Sequence, residues 1–178
     1  MHIALQVLVP LIFAALASTL ILKSAEPKPV LATYHDLAPH ARVEVDCLTQ
    51  NIMFEAGREP EKGKYAVALV TMNRVESPRY PNNICDVVRQ RTKHTCQFSW
   101  WCIDNLQYKA VNSQYTAAEQ KLYDSAQRVA LDVYLNYNKL YDVTYGALFF
   151  HAHYVSPYWK SSLRQTAVIG QHIFYRKP

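Results

Sequence analysis

One carboxylate in the sequence, Glu55, stands where a helical pattern would bury it. Leu48 and Ile52 recur at helical spacing, and Glu55 falls on the same apolar face because seven helical residues make almost two full turns. Burial and the negative end of the helix dipole both disfavour the ionised form, so the pKa of Glu55 should rise. A carboxyl that keeps its proton near neutral pH suits general acid catalysis. The alternative is a helix-end carboxylate paired with Arg58 or Arg74.

A second group of candidate residues lies in the segment 95–102, which contains two closely spaced cysteines. Gln97 and Ser99 carry amide and hydroxyl groups that can bind sugar hydroxyls and acetamido groups, and the indole of Trp100 can stack on a sugar ring. These residue types predict a polar binding surface held by a short loop. In the alternative interpretation, the aromatic side chains of this segment fill the core beneath the loop.

His151 and His153 form a candidate metal site, because alternate residues of a strand point to one face. Together with His172 or Asp142 they would supply enough ligands for zinc, and that would indicate metal-dependent hydrolysis. No ligand set with the spacing of a zinc site surrounds the pair. We therefore expect hydrogen-bonded histidines, and neither a metal nor another cofactor.

The elements that must position these residues are mainly helices. The predicted helices span residues 43–56, 60–77, 84–89 and 116–135. Gly57 supplies a stop for the first helix, and Pro60 lies near the first turn of the second. Thr116 and Glu119 match a capping box at the start of the last helix. The segment 91–111 has no clear period and is expected to be a structured loop.

The carboxy-terminal part of the chain changes from helical to strand character. Aromatic and β-branched residues predict three short strands at 148–155, 166–169 and 172–176, the last two joined by a turn at Gly170 and Gln171. The expected fold class is α+β, mostly helical with a small antiparallel sheet.

The amino-terminal segment is apolar and is expected to be separate from the folded body. Residues 3–22 contain no formal charge, and a run of about 20 apolar residues can cross a bilayer as a helix. We predict a signal peptide or retained membrane anchor at 1–24, a Pro-rich linker at 25–41 and one catalytic domain at 42–178. The domain is therefore expected in the periplasm or outside the cell, membrane-anchored or secreted.

The four cysteines are Cys47, Cys85, Cys96 and Cys102. In a chain that is exported, an even number of cysteines favours disulfide bonds, here two of them. Four cysteines nevertheless permit three ways of pairing. We expect Cys47–Cys85 and Cys96–Cys102. A zinc site is the competing interpretation, but the nearest pair is separated by five residues, and zinc ligands are typically separated by two to four.

The net charge of +5 suits a polyanionic partner such as an anionic cell wall. No helix-turn-helix, nucleotide-binding loop or zinc finger is recognisable in the sequence. We therefore expect no nucleic-acid partner.

Six blocks of the sequence, taken in order, resemble a known family. They are the segments 47–60, 66–75, 80–88, 96–102, 147–159 and 169–175. Among them are Phe-Glu-Ala at 54–56, Asn-Arg-Val at 73–75 and Cys-Gln-Phe-Ser-Trp-Trp-Cys at 96–102. The chain is similar in these blocks to the SleB-type cell wall hydrolases, named for the spore cortex-lytic enzyme and also found in Gram-negative bacteria and phages.

This resemblance implies a lysozyme-like, lytic-transglycosylase-like domain that cleaves peptidoglycan between N-acetylmuramic acid and N-acetylglucosamine. It implies that Glu55 is a single acid and base, and that the product carries a 1,6-anhydro-muramic end. The expected substrate-binding residues are Gln97, Ser99, Trp100, Asn73, His151 and His172. One departure from the family pattern Ala-Arg-Gly-Glu-Pro lies beside Glu55, where residues 56–60 read Ala-Gly-Arg-Glu-Pro.

The sequence offers no clear second carboxylate, and this favours a single-acid mechanism. Glu59 and Asp104 are the nearest candidates, whereas a two-carboxylate glycosidase needs its pair at a defined separation. Two alternatives remain open: a metal-dependent cell-wall amidase that uses His151 and His153, and a non-catalytic peptidoglycan-binding protein. We expect a monomer whose partners are peptidoglycan and, through residues 3–22, the inner membrane.

Overall fold

The computed structural model of the chain describes residues 33–178. The predicted signal peptide or anchor at 1–24 and residues 25–32 of the predicted linker at 25–41 lie outside the described residues. The end of that linker is not irregular as predicted, because a short 3₁₀ turn lies at Tyr34–Asp36 and the first helix begins at Pro39. Within 33–178, no helix combines the length and the hydropathy needed to cross a membrane.

Five α-helices and three strands form the described part of the chain. The helices are α1 (Pro39–Ala56), α2 (Glu61–Val75), α3 (Ile84–Arg89), α4 (Asp104–Asn112) and α5 (Ala117–Asn136). The strands are β1 (Phe149–Ala152), β2 (Arg164–Ile169) and β3 (His172–Arg176). Short 3₁₀ turns lie at Tyr34–Asp36, Ser99–Cys102, Tyr137–Lys139 and Tyr158–Ser162. This arrangement confirms the predicted α+β class.

Helix α1 carries Glu55 on its last turn, and its ends have clear causes. It begins at Pro39, whose missing N–H costs nothing in the first helical turn, four residues before the predicted start at position 43. It ends before Gly57, whose N–H still donates to the Met53 carbonyl at 3.1 Å. Pro60 then separates α1 from α2, because its ring cannot continue a helix.

The prediction of a loop over 91–111 is wrong for its second half, where the structure contains α4. This helix is short and mostly polar, and it buries little besides Ala110, so the sequence carries no clear apolar period. The first half does form the expected loop, which closes through a bridge between Arg91 and Cys96. The predicted capping box is present at the start of α5, where Thr116 Oγ1 and the Glu119 carboxylate each accept a backbone N–H.

The main core lies between α1, α2, α3 and α5 and includes Leu48, Ile52 and Val133, all of them fully buried. A smaller cluster connects α2 to the sheet through Val70 and Phe174. Helix α2 therefore packs against the helical core on one side and against the sheet on the other. Two disulfides reinforce this arrangement: Cys47–Cys85 joins α1 to α3, and Cys96–Cys102 closes the loop before α4, as expected.

The sheet is antiparallel with strand order β1-β3-β2. Strand β3 has the predicted bounds, whereas β1 ends at Ala152, earlier than the predicted residue 155, because its pairing with β3 stops at His172. Gly170 forms the turn between β2 and β3 with a φ of 57°, a left-handed conformation that favours glycine. The turn places His172 at the start of the central strand β3, where it lines the same cleft as Glu55 at the end of α1.

Candidate active site

A cleft of about 510 Å³ opens between the end of α1, the disulfide loop and the edge of the sheet. Its lining residues come from all three parts: Phe54, Glu55, Arg74, Cys96, Gln97, Phe98, Ser99, Trp100, Ile103, Leu106, Phe150, His151, Ala152, Tyr154 and His172. Glu55 is the carboxylate among them. The cleft is of the size that proteins use to bind small ligands or parts of a polymer.

Glu55 lies on the wall of the cleft without a partner for its carboxyl group. Within residues 33–178 no hydrogen bond reaches this carboxyl, and the ion pair found there joins Lys109 to Glu119. Pairing with Arg58 or Arg74, the alternative interpretation of Glu55, is therefore not seen. Burial raises the pKa of Glu55 to about 7, while the positive charge of Arg74 acts in the opposite direction. A carboxyl with this pKa is partly protonated at neutral pH.

The disulfide loop brings Gln97 and Ser99 to the cleft, and both residues are exposed. Trp100 borders the same cleft, but it is only 3% exposed, and its indole N–H donates to Asn51 Oδ1 at 3.0 Å. Its ring is also stacked on Phe54 with 4.7 Å between centroids. Trp100 therefore has little free surface for a sugar ring, and its contacts instead fix the loop to α1.

His151 and His172 both reach the cleft, although each is more than nine-tenths buried. His151 Nδ1 donates to the Ala152 carbonyl at 2.9 Å, so its Nε2 accepts from the Tyr175 hydroxyl at 3.0 Å. Burial lowers the pKa of His172, with Glu59 acting in the opposite direction, and its buried Nδ1 has no partner among the described residues. A neutral His172 can donate or accept a hydrogen bond in the cleft.

The expectation that His151 and His153 share one face is wrong, because β1 ends at Ala152 and His153 lies in the following turn. His153 is exposed, and its backbone N–H donates to the Gln171 carbonyl at 2.7 Å. In residues 33–178 no group of three or more His, Cys, Asp or Glu side chains is placed to hold a metal ion. The arrangement of these histidines does not favour metal-dependent hydrolysis.

Asn73, also a predicted substrate-binding residue, does not line the cleft. Its amide nitrogen donates to Asp142 at 3.0 Å and to the Ala147 carbonyl at 3.1 Å, and its amide oxygen accepts from the Tyr137 hydroxyl at 2.8 Å. Asn73 connects α2 to the segment before β1. Because its hydrogen-bonding groups are already occupied, we leave it out of the candidate site.

A second hollow of about 480 Å³ lies on the other side of Glu55 and shares Phe54, Leu106 and Tyr154 with the cleft. Two further carboxylates, Glu59 and Glu119, border this hollow. Glu55 borders both spaces, and the two together are called the groove. Asp104 borders neither of them.

Both carboxylates of the second hollow are held by other groups. A hydrogen bond from Lys109, with further bonds from Thr116, lowers the pKa of Glu119 to about 2, so it stays ionised. Glu59 accepts the Gln171 N–H at 3.0 Å, and its carboxylate fills the space beside Gly170, where a Cβ would lie 1.7 Å from Oε2. Neither group resembles Glu55, whose carboxyl is free of partners and partly protonated.

Several lining residues were not predicted as site residues from the sequence, and Leu106, Tyr154 and Arg74 are among them. Leu106 belongs to α4, which has no clear sequence signal, and Tyr154 is 80% exposed in the turn after β1. The sequence suggests Arg74 only as an ion-pair partner of Glu55. The one signal that could have pointed to Arg74 is the Asn-Arg-Val ending of α2, which belongs to a block that resembles the SleB-type family.

Comparisons with known proteins are consistent with this geometry. Residues 58–175 match the sequence profile of a family described as cell wall hydrolase, and this range begins just after Glu55. The fold is similar to the catalytic domain of the SleB protein of Bacillus cereus, with 25% identity and a TM-score of 0.54 over 75% of this chain and 91% of that one. It is also similar to the catalytic domain of the germination-specific lytic transglycosylase SleB of Bacillus anthracis, with 24% identity and a TM-score of 0.56 over 75% and 93%. No curated protein gave a significant match.

Proposed function

The chain belongs to the cell wall hydrolase family and is a peptidoglycan hydrolase of the SleB type, and we propose that Glu55 is the general acid with which it cleaves the glycan strand. The proposed bond is the one between N-acetylmuramic acid and N-acetylglucosamine. The observation that carries this proposal is the unpartnered, partly protonated carboxyl of Glu55 in the middle of a groove. A glycan strand lying in the groove would cross this carboxyl.

The groove has one carboxyl group suited to proton donation, and this favours a lytic transglycosylase mechanism. Glu55 donates its proton to the glycosidic oxygen as the bond from the muramic anomeric carbon to that oxygen breaks. The resulting Glu55 carboxylate then accepts the proton of the muramic 6-hydroxyl as its oxygen attacks the anomeric carbon. The products are an N-acetylglucosamine end with a free 4-hydroxyl and a 1,6-anhydro-muramic end, and no water is consumed.

The polar side chains opposite Glu55 are proposed to bind the sugars. Gln97 and Ser99 are exposed at the cleft and make no side-chain hydrogen bonds within residues 33–178, so their amide and hydroxyl groups are available to acetamido and hydroxyl groups of the glycan. His172 also lines the cleft, so its ring can add one more contact to the glycan. This set is smaller than the predicted one, because Trp100, Asn73 and His151 are occupied by internal contacts.

The two disulfides and the cell-wall family indicate a periplasmic or extracellular location. We propose that residues 3–22 attach the enzyme to the inner membrane or direct its export. Comparing the mass of the protein in membrane and soluble fractions would distinguish a retained anchor from a cleaved signal peptide.

The direct test is to digest purified peptidoglycan with the wild-type chain and with Glu55→Gln, and to analyse the products by mass spectrometry. Glutamine keeps the shape of the side chain but cannot donate an acidic proton, so cleavage should fall roughly 10²–10⁴-fold. Fragments with 1,6-anhydro-muramic ends are expected from the wild type. Reducing muramic ends would indicate hydrolysis by water instead, and an intact glycan would contradict the proposal altogether.

Glu59→Gln is the matched control, because Glu59 borders the same groove. Its amide oxygen can still accept the Gln171 N–H, so we expect most of the activity to remain. A loss as large as that of Glu55→Gln would indicate a second catalytic carboxylate.

A further inference from the structure

Arg74 is a buried cation beside the proposed catalytic acid. It lies on the last turn of α2, is 4% exposed and lines the same cleft as Glu55. Burial lowers the pKa of Arg74, but the ordinary pKa of arginine is so high that the side chain remains charged. A buried positive charge close to an ionisable acid must influence the ionisation of that acid.

The guanidinium group is held firmly, yet part of it is left without a partner. Its Nε donates to the Leu148 carbonyl at 2.9 Å, and its Cζ lies 4.8 Å from the ring centre of Phe98 and 5.4 Å from that of Tyr80. Its Nη1 is buried and has no hydrogen-bond partner within residues 33–178. An unpartnered donor on a buried charge is costly and calls for an explanation.

Glu55 and Arg74 do not form a direct ion pair, although both line one cleft. A direct pair would hold Glu55 in its ionised form and remove the proton that a general acid needs. A cation kept at a greater distance leaves that proton in place and still favours the carboxylate once it forms. The backbone anchor at Leu148 and the two aromatic rings maintain this separation.

We infer that Arg74 is a positioning residue for proton transfer: its fixed charge stabilises the Glu55 carboxylate that appears when the glycosidic oxygen is protonated. This inference rests on the proposed function of Glu55. The group acts through Glu55 and makes no contact with the reacting atoms. Its role is to make the proton easier to release at the moment of bond cleavage, in surroundings where water cannot screen the charge.

Other charged and titratable groups also face Glu55 across the groove. They are Arg58, Glu59, Glu119, His151, Tyr154 and His172. Among charged groups, however, Arg74 is the one that offsets the effect of burial on the pKa of Glu55. Loss of its charge should therefore raise that pKa above about 7.

The test is the pH dependence of peptidoglycan cleavage by the full chain, measured for the wild type, Arg74→Met and Arg74→Lys. Methionine fills a similar volume without a charge, and such replacements of buried ions are often tolerated. In the wild type, cleavage should decline as the pH rises through about 7, because the acid form of Glu55 is lost. In Arg74→Met this decline should move to higher pH, and kcat at low pH should fall about tenfold to hundredfold with little change in KM. Arg74→Lys keeps a positive charge, so its pH profile and its kcat should lie between those of the wild type and those of Arg74→Met.

Arg128→Met is the matched control, because Arg128 is an exposed arginine outside the groove, and its pH profile should equal that of the wild type. If Arg74→Met shifts neither the pH profile nor kcat, the inference is overturned. A rise in KM with an unmoved pH profile would also overturn it, since it would make Arg74 a substrate-binding residue.

A second measurement keeps the inference testable if Arg74→Met does not fold. The pKa of Glu55 can be followed by NMR titration of its side-chain carbon in the wild type and in Arg74→Lys. An increase is expected, because an ammonium group lacks the planar contacts that hold the charge in place, and an unchanged pKa would contradict the inference. Absence of cleavage by the wild type would instead overturn the proposed function, and the inference with it.

Discussion

The two walls of the cleft are built in different ways. The helical wall carries Glu55 and Arg74 on the last turns of α1 and α2, and the main core lies directly behind it. The polar wall carries Gln97 and Ser99 on an exposed loop and His172 at the start of β3. The helical wall thus holds two ionisable groups out of water, whereas much of the polar wall is open to solvent.

Under the proposed function, this difference separates the proposed proton transfer from the proposed binding of the sugars. A proton transfer needs its groups fixed to within fractions of an ångström in apolar surroundings, and packed helices provide this. Sugar binding needs several hydrogen-bonding groups that water can reach and leave, and loops provide these. Each wall also has its own disulfide: Cys47–Cys85 in the helical core, and Cys96–Cys102 in the loop.

The largest effect is expected from removing the disulfide behind the helical wall with Cys47→Ala and Cys85→Ala. The bond closes a long loop of the chain, with a sequence separation of 38, so its loss should lower the free energy of unfolding by about 3.9 kcal/mol. Chemical denaturation would measure this change. Under conditions where the variant remains folded, its KM should equal that of the wild type. A raised KM would contradict the assignment of substrate binding to the polar wall alone.

A smaller effect on stability and a larger effect on binding are expected from Cys96→Ala and Cys102→Ala. This disulfide spans a sequence separation of 6, and its loss should lower the free energy of unfolding by about 2.4 kcal/mol. Because the loop carries Gln97 and Ser99, KM for glycan fragments should rise while the pH dependence set by Glu55 stays the same. Steady-state kinetics over a range of pH would test both statements, and a shifted pH profile would contradict the second.

The smallest effect is expected from a single change on the polar wall, Gln97→Ala. Loss of one hydrogen bond to the substrate costs about 1 kcal/mol, so KM should rise roughly fivefold with kcat almost unchanged. Gln114→Ala is the control, because this exposed glutamine lies outside the groove and should leave both constants unaltered. If Gln97→Ala lowers kcat instead, the polar wall takes part in the chemistry.

Much of the fold could be predicted because its helices and strands are marked by periodic apolar residues and by local end signals. The capping box at Thr116 and the period of α5 defined a helix that the structure contains almost unchanged. Helix α4 is not predicted because it is only nine residues long and mostly polar, so its apolar residues span too few turns to distinguish a helix from a loop. Strand β1 is predicted too long because the pairing with β3 sets its end. Pairing partners are a property of the fold and cannot be found from local sequence.

The candidate site was predictable to the extent that it depends on single elements. Helical spacing places Glu55 on the apolar face of α1, and in the structure Glu55 is partly buried and has a raised pKa. The burial of Trp100 depends on Asn51, far away in the sequence, and the burial of Arg74 beside Glu55 depends on how α2 packs. Contacts of this kind have no signature in the spacing of residues.

The contact of the Glu59 carboxylate with the turn between β2 and β3 limits which residues that turn can accept. The positive φ of Gly170 would by itself admit asparagine, which tolerates a left-handed backbone. The Glu59 carboxylate occupies the space that any side chain at position 170 would need, so a change there displaces the flexible Glu59 side chain and breaks its hydrogen bond with the Gln171 N–H. Glutamate at position 59 therefore holds this turn only while position 170 is glycine, although 112 positions of sequence separate Glu59 from Gln171 in that turn.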